Sequence, residues 1–270
     1  MHIQRGAWAE INLDAVAHNV QMAKANLKPT TKLCAVVKAD AYGHGAVRVA
    51  QEAARNGADF FAVALLQEGV KLREAGIETP ILVLGSMLPE VAEICVRYDI
   101  SHAVFDEERL YALNAAALKL HTKAKIHIKI DTGMHRIGVH VRDAGRFAKL
   151  AASLPGIYIE GVFSHFATAD ADDKQYAAYQ FERFQEALSL IEAEGVHIPI
   201  RHIANSAALT ELQEYQLDMV RQGITLYGLH PAHMIDCYKD FEPVMTVKTQ
   251  VAFVKTLPPG ETIGYGRTYT

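Results

Sequence analysis

Short apolar, β-branched runs alternate with stretches of helical periodicity from residue 33 to residue 226. Eight runs qualify as strands: Leu33–Val37, Phe60–Leu65, Ile81–Gly85, His102–Phe105, Lys125–Ile130, Ile157–Phe163, Ile198–Ile203 and Met219–Leu226. Near-continuous apolar runs of this length are the pattern of strands covered on both faces of a parallel sheet. The gaps between them carry helical spacing. Val16, Val20, Ala23 and Leu27 recur at i, i+4, i+7 and i+11, with Asp14 placed to cap the start. Phe184, Leu188 and Ile191 form a second stripe, closed by Gly195 at the position after the C-cap. Strand–helix alternation predicts a parallel sheet with helices outside it. Eight such strands predict an α/β fold of the (β/α)8 TIM-barrel type rather than an open doubly wound sheet.

The texture changes after Gly228. HPAHMIDCYKDFEPVM reads as a connection, and Val244–Leu257 then alternates apolar and polar residues, as a strand with one wet face does. The turn signal PPGE follows at Pro258–Glu261. A lone strand cannot bury a core of its own. The expected organisation is therefore a barrel over residues 1–240 and the first strands of a truncated C-terminal β-domain over residues 241–270.

Composition narrows the class. The chain has 270 residues, 50% of them hydrophobic, which suits one barrel of about 250 residues with a short appendage. Its 27 basic and 31 acidic residues leave a net charge of −4, which gives no footprint for a nucleic acid. Cys34, Cys95 and Cys237 are widely spaced and read as free thiols of a reducing compartment. The start, MHIQRGAWAEINLD, lacks the apolar core of a signal peptide, and no run reaches the roughly 18 apolar residues of a membrane span. The expectation is a cytoplasmic protein with no membrane partner.

Candidate chemistry gathers where a barrel places its active site, at the C-terminal ends of the strands. AVVKADAYGHG puts Lys38 directly behind the first run, with Gly43 and Gly45 marking a turn. Lysine is rarely buried unless paired, and an amine at a barrel mouth suits Schiff-base chemistry. Lys129, Asp131 and Arg136 stand at or past the fifth run, His165 past the sixth, Asn205 and Ser206 past the seventh, Arg221 and Gly223 in the eighth. Taken singly, His165 reads as a core or surface histidine, Arg136 and Arg221 as ion pairs, and Asn205 as an N-cap. Together they form a ring at one face. Barrels often hold phosphate with the loops after strands seven and eight, here Ser206 and the backbone of Gly223 and Ile224. A phosphate site facing a Schiff-base lysine suggests pyridoxal 5'-phosphate.

The segments AVVKADAYGHGA (35–46), ILVLG (81–85), IKIDTGMHRIG (128–138), SHFATAD (164–170), IANSAA (203–208), VRQGITLYG (220–228) and IGYGRTYT (263–270) carry a family resemblance. The chain closely resembles the bacterial alanine racemases, the fold-type III group of pyridoxal-phosphate enzymes. The resemblance implies interconversion of L-alanine and D-alanine by two-base α-proton transfer, supplying D-alanine for cell-wall peptidoglycan. It implies that Lys38 binds the cofactor and acts as one base, while Tyr265 acts as the other. In the family that tyrosine works on the partner subunit's cofactor, so a homodimer is implied. Tyr42, Ser206, Gly223 and Ile224 resemble the phosphate contacts, with Asn205 beside them. His165 resembles the histidine next to the cofactor ring, and Arg221 the arginine facing the pyridine nitrogen. Arg136 resembles the arginine that orients the cofactor oxygen and the substrate carboxylate. Lys129 resembles a lysine carbamylated in many members; as a residue, it reads equally as an exposed lysine.

Asp40 stands where the family more usually has asparagine, and Gln222 where an aromatic is common. Four other readings compete. A serine racemase or related amino-acid racemase of the same fold differs only in pocket shape. A basic amino-acid decarboxylase fits less well, because its barrel histidine usually precedes a glycine-serine pair, whereas His165 runs into Phe166-Ala167-Thr168. A non-catalytic pyridoxal-phosphate-binding barrel has no reason to carry GYGRTYT. A metal-dependent hydrolase is disfavoured because His44, His127, His165 and His202 lack a ligand pattern.

Overall fold

The computed structural model describes residues 6–231 and 236–270. Eight parallel strands form the central sheet: β1 (Lys32–Val36), β2 (Phe60–Val63), β3 (Ile81–Val83), β4 (Ser101–Val104), β5 (Ala124–Asp131), β6 (Ile157–Phe163), β7 (Ile200–His202) and β8 (Met219–Gln222). They pair in the order β8-β1-β2-β3-β4-β5-β6-β7. Asp218 N–H donates to Arg201 O and Arg221 N–H to Ala204 O, both at 3.1 Å, so backbone bonds link β7 to β8 and bring the two ends of the sheet together. The fold is the nearly closed (β/α)8 barrel that the strand count predicts.

All eight predicted strands are present, with ends that match or differ by one to four residues. The eighth ends at Gln222 rather than Leu226, because Gly223 turns the chain (φ −108°, ψ −95°) into a 3-10 turn over Ile224–Tyr227. The first helix, Leu13–Ala25, is capped by Asn12 and not by Asp14. The Asn12 side chain accepts from Asp14 N at 3.0 Å and Ala15 N at 3.3 Å, which leaves Asp14 in the first turn, where its charge suits the positive end of the helix. Leu27 falls beyond this helix. The second stripe belongs to the helix Gln175–Ala193, and Gly195 follows its C-cap with φ +74°.

Leu13–Ala25 covers the barrel beside the turn after β8, and buried Asn19 fixes it there. Its amide donates to Leu226 O (3.1 Å) and Glu242 O (2.8 Å), and its carbonyl oxygen Oδ1 accepts from Glu242 N (2.8 Å). Gln222, also buried, donates to Asn19 O at 3.0 Å. The Asn19 amide, with both its NH2 group and its oxygen partnered, is a strong positional constraint.

Inside the barrel the two halves differ. Cys34, Val36, Phe60, Ala62, Leu82, Ile200 and Met219 form an apolar cluster from β1, β2, β3, β7 and β8. β5 instead alternates Lys125, His127, Lys129 and Asp131 on one face, because side chains two apart share a face of a strand. Among the described residues no helix is long and apolar enough to cross a membrane.

Asn12–Val244, which contains the barrel, is one compact unit; Met245–Thr270 and the strand Ala7–Ile11 belong to another. In this second unit Ala7–Ile11 pairs antiparallel with Met245–Thr249, Ala7 opposite Thr249 and Ile11 opposite Met245. Lys248 and Glu10 form an ion pair across it at 2.7 Å. The predicted strand Val244–Leu257 is therefore shorter, Met245–Thr249. Among the described residues its ladder with Ala7–Ile11 ends at Thr249.

Candidate active site

The first site residue is set by strand periodicity. Cys34 and Val36 point into the barrel, and two residues further on the same alternation brings Lys38 to its mouth. Lys38 begins an unusual segment. Ala39, Asp40, Ala41 and Tyr42 all have φ between 52° and 56°, a left-handed turn of four non-glycine residues. Each such residue costs about 1–2 kcal/mol, so the surroundings must hold the turn. Glu68 does so from the first turn of the helix Leu66–Glu74. It accepts from Ala39 N at 2.6 Å through one oxygen, and from Ala64 N (2.7 Å) and Leu65 N (3.1 Å) through the other. Asp40 Oδ1 accepts from Ala46 N (3.1 Å) and from Lys71 Nζ (3.0 Å). These two bonds, the backbone one first, hold its carboxyl below the usual range. Asp and Asn both tolerate left-handed backbone, which explains either residue at this position, and the charged form gains Lys71.

The turn delivers the Tyr42 ring to 5.7 Å from Lys38 Nζ. Behind it lies buried Tyr227, with ring centroids 5.1 Å apart and the Tyr227 hydroxyl donating to Val36 O at 2.9 Å. Partial burial pushes the Tyr42 hydroxyl above its ordinary pKa, so it remains a donor.

The opposite wall is a cradle of polar groups. Asn205 caps the turn of helix Ser206–Glu211, its side chain accepting from Ala208 N at 3.1 Å. The capping expectation for Asn205 is therefore met, and the residue also lines the cavity described below. Ser206 Oγ accepts from Gly223 N at 2.8 Å and from Thr225 N at 3.4 Å, which leaves its own proton free to donate. A Cβ on Gly223 would lie 3.7 Å from both Ser206 Oγ and Tyr42 Oη, with Val36 next at 4.0 Å. Two hydroxyls and a backbone turn thus border one open spot, a setting suited to a phosphate.

Arg221 is buried at the floor. Its guanidinium donates to His202 Nδ1 (2.7 Å), Ser164 O (2.8 Å), His165 Nδ1 (2.9 Å) and Ile203 O (3.0 Å). Burial pushes its pKa down to about 10, which leaves it charged at neutral pH. Desolvation and then the Arg221 charge push His165 well below the usual histidine range, so its ring is neutral. Because Arg221 only donates, His165 Nδ1 is an acceptor and the ring proton sits on Nε2.

Lys129 is 4% exposed and lies 5.1 Å from the centre of the Phe163 ring. Burial, then Arg221, pushes its amine well below the usual lysine range; Asp131 opposes this and Arg136 adds to it. Of the two readings of Lys129, exposure on the surface is excluded. Arg136 is exposed on the turn after β5. Among the described residues, neither Arg136 nor Arg221 forms an ion pair with a carboxylate.

Lys38, Tyr42, Lys129, Arg136, His165, Asn205, Ser206, Arg221, Gly223 and Ile224 all line one cavity of about 490 Å³. Ala64, Leu84, Ile137 and Phe163 supply apolar wall. Tyr265 lies in the other unit, in the turn Tyr265–Arg267, and is fully exposed. Residues that sequence reading missed are Glu68, which carries no signal beyond an acidic first turn, and Glu160; His127 and His202 were weighed only as metal ligands, and their inward-facing place beside Glu160 was missed. The alternation in β5 is the signal that could have found His127.

The chain can be set beside known proteins on this geometry. The family described as alanine racemase, N-terminal domain, matches residues 11–231. An alanine racemase of Desulfovibrio desulfuricans is 46% identical over 265 residues, covering 98% of this chain and 71% of that protein. One from Halothermothrix orenii is 45% identical, covering 99% and 70%. Among solved structures, the alanine racemase of Clostridium difficile 630 superposes with a TM-score of 0.93 at 38% identity, over 100% of this chain and 71% of that one. The Bacillus anthracis alanine racemase with bound L-Ala-P gives 0.91 at 37%, over 100% and 70%. The chain thus spans about 70% of the length of these relatives.

Proposed function

The chain belongs to the alanine racemase family, and from that premise we propose that it interconverts L-alanine and D-alanine with pyridoxal 5'-phosphate as cofactor, contributing D-alanine to peptidoglycan. One observation carries the reading: the amine of Lys38 opens into the same cavity as the cradle of Ser206, Tyr42 and Gly223. The residues fit the cofactor. Tyr42 Oη, Ser206 Oγ and the Gly223–Ile224 backbone would hold its phosphate, Lys38 its aldehyde carbon, and Arg221 its ring nitrogen. Bound there, the cofactor supplies the electron sink without which the α-proton is too weakly acidic for any side chain to remove.

The chain's own residues do the rest. Lys38 Nζ takes or returns the α-proton on one face of the substrate. Tyr265 serves the opposite face, on the cofactor of the partner subunit in a homodimer. Arg221 would donate to the ring nitrogen and, giving up no proton itself, would keep that nitrogen from accepting one. His165, held neutral beside it, adds no second charge. Arg136 has no acidic partner in the described residues and is free to orient the substrate carboxylate. Adding pyridoxal phosphate to the chain with L-alanine should yield D-alanine, and D-alanine should yield L-alanine. Carbon dioxide release in place of inversion would contradict the proposal and point to a decarboxylase.

Lys129 is proposed to carry a carbamate. A neutral amine adds through its nitrogen to the carbon of carbon dioxide and sheds a proton to solvent, leaving an anion beside Arg136 and Arg221. The depressed pKa keeps the amine neutral at pH values where an ordinary lysine is protonated. Below that pKa the amine is an ammonium and cannot add, so occupancy rises with pH. Carbon-13 bicarbonate should give a carbamate resonance that grows with pH and disappears in Lys129→Gln. No resonance at saturating bicarbonate would count against it.

A further inference from the structure

The lower half of the barrel holds a polar chain of which the proposed chemistry uses only the Arg221 end. It begins at an irregularity in the sheet. Between β5 and β6, Ile126 pairs with Ile159 but His127 pairs with Gly161, so Glu160 is the extra residue of a β-bulge. In a regular strand, residues three apart face opposite ways. The bulge cancels that alternation: Glu160 reaches His127, while Phe163, three residues on, stacks on His202 with ring centroids 4.9 Å apart. Gly161 leaves the room, since a Cβ there would collide with the His127 ring and with Ile200 O.

The links are short and continuous. Ser101 Oγ donates to Glu160 Oε2 at 2.5 Å, and His127 Nε2 lies 3.0 Å from that oxygen. His127 Nδ1 lies 2.9 Å from His202 Nε2, and His202 Nδ1 lies 2.7 Å from Arg221 Nη1. Arginine is donor-only, and this fixes every proton. His202 accepts at Nδ1, so its proton is on Nε2. His127 must then accept at Nδ1, so its own proton is on Nε2 and goes to the Glu160 carboxylate. A second proton on His127 would set two N–H groups against each other. All links therefore run one way, from Arg221 to Glu160, and both imidazoles are neutral. The chain cannot conduct a proton to the cavity, because its upper end never releases one.

We infer that Glu160 is a positioning residue of the active site: it accepts the last proton of this chain from His127 Nε2, fixes that ring, and through His127 and His202 steadies the Arg221 guanidinium. Arg221 has no carboxylate of its own among the described residues, and Glu160 supplies the negative end of its hydrogen-bonded chain. Burial works against ionisation of Glu160, while His127 first, then the Ser101 bond and the Lys125 charge, act the other way and leave the carboxyl below its ordinary pKa. The kinetic part of this inference rests on the function proposed above; the tautomers do not.

Nitrogen-15 NMR of the imidazoles in the cofactor-loaded chain tests it. His127 and His202 should each show a protonated Nε2 and a bare Nδ1. Glu160→Gln keeps an acceptor and should preserve both tautomers. Glu160→Leu should leave the tautomers that Arg221 sets but strip the His127 Nε2–H of its acceptor, moving its nitrogen-15 shift and speeding its exchange with water, and lower kcat on the order of tenfold with KM nearly unchanged. A doubly protonated or Nδ1–H His127 in the unmodified protein overturns the inference, as does a folded Glu160→Leu variant whose His127 Nε2–H signal is unmoved. If Glu160→Leu fails to fold, the unmodified and Glu160→Gln spectra still decide. The stated tautomers in a chain that does not racemise alanine support the chain of bonds and count against the proposed function instead.

Discussion

Lys38→Ala should lower alanine racemisation by roughly three to four orders of magnitude while leaving the fold intact. Two roles vanish together, attachment of the cofactor and proton transfer on one face. Stability should hardly move. Lys38 is only half-buried, and its one described side-chain contact is the Tyr42 ring. The strained turn that follows is held by Glu68, Asp40 and backbone bonds, none of which uses the Lys38 amine. A surface-like substitution of this kind changes stability by about 0.5 kcal/mol or less. Chiral assays beside a thermal melt check both halves. A loss below tenfold, or a collapsed melt, would contradict the assignment.

Arg221→Ala should produce the largest loss of stability of any single site residue. Four acceptors lose their donor at once: His202 Nδ1, His165 Nδ1, Ser164 O and Ile203 O. Each buried group left unpaired costs about 1–3 kcal/mol, though relaxation and entering water reduce the sum. Removing one member of a buried charged network typically costs about 3–5 kcal/mol. For a chain of this size that lowers Tm by about 10 °C. Offsetting this, the burial of an unpaired cation is relieved, since Arg221 faces no carboxylate directly. A melt shifted by less than about 3 °C would mean that the offset dominates and that the guanidinium is not a structural centre.

Much of the barrel was legible because its strands are buried on both faces. Runs such as Leu33–Val37 and Ile81–Gly85 are apolar throughout, and nothing but a covered strand suits them. Lys38, Arg221 and Ser206 stood out because they sit at strand ends, where the barrel geometry itself assigns the site. The misses have equally physical causes. Asp14 and Asn12 are both good caps, and only the backbone angles decide between them. Met219–Leu226 stays apolar beyond Gln222, so composition gives no hint that Gly223 ends the strand. Val244–Leu257 has a strand's alternation, but its pairing partner is Ala7–Ile11, more than two hundred residues away. Glu160 was invisible because regular alternation gives it no place among the inward-facing residues. A single bulge reverses that, and no residue type announces it.

Borohydride reduction of the chain loaded with pyridoxal phosphate, followed by peptide mapping, is the most direct test of the central claim. The predicted result is one labelled peptide, carrying the reduced cofactor on Lys38 Nζ and absent from Lys38→Ala. Label on a different lysine, or no label from a chain that still inverts alanine, would contradict it.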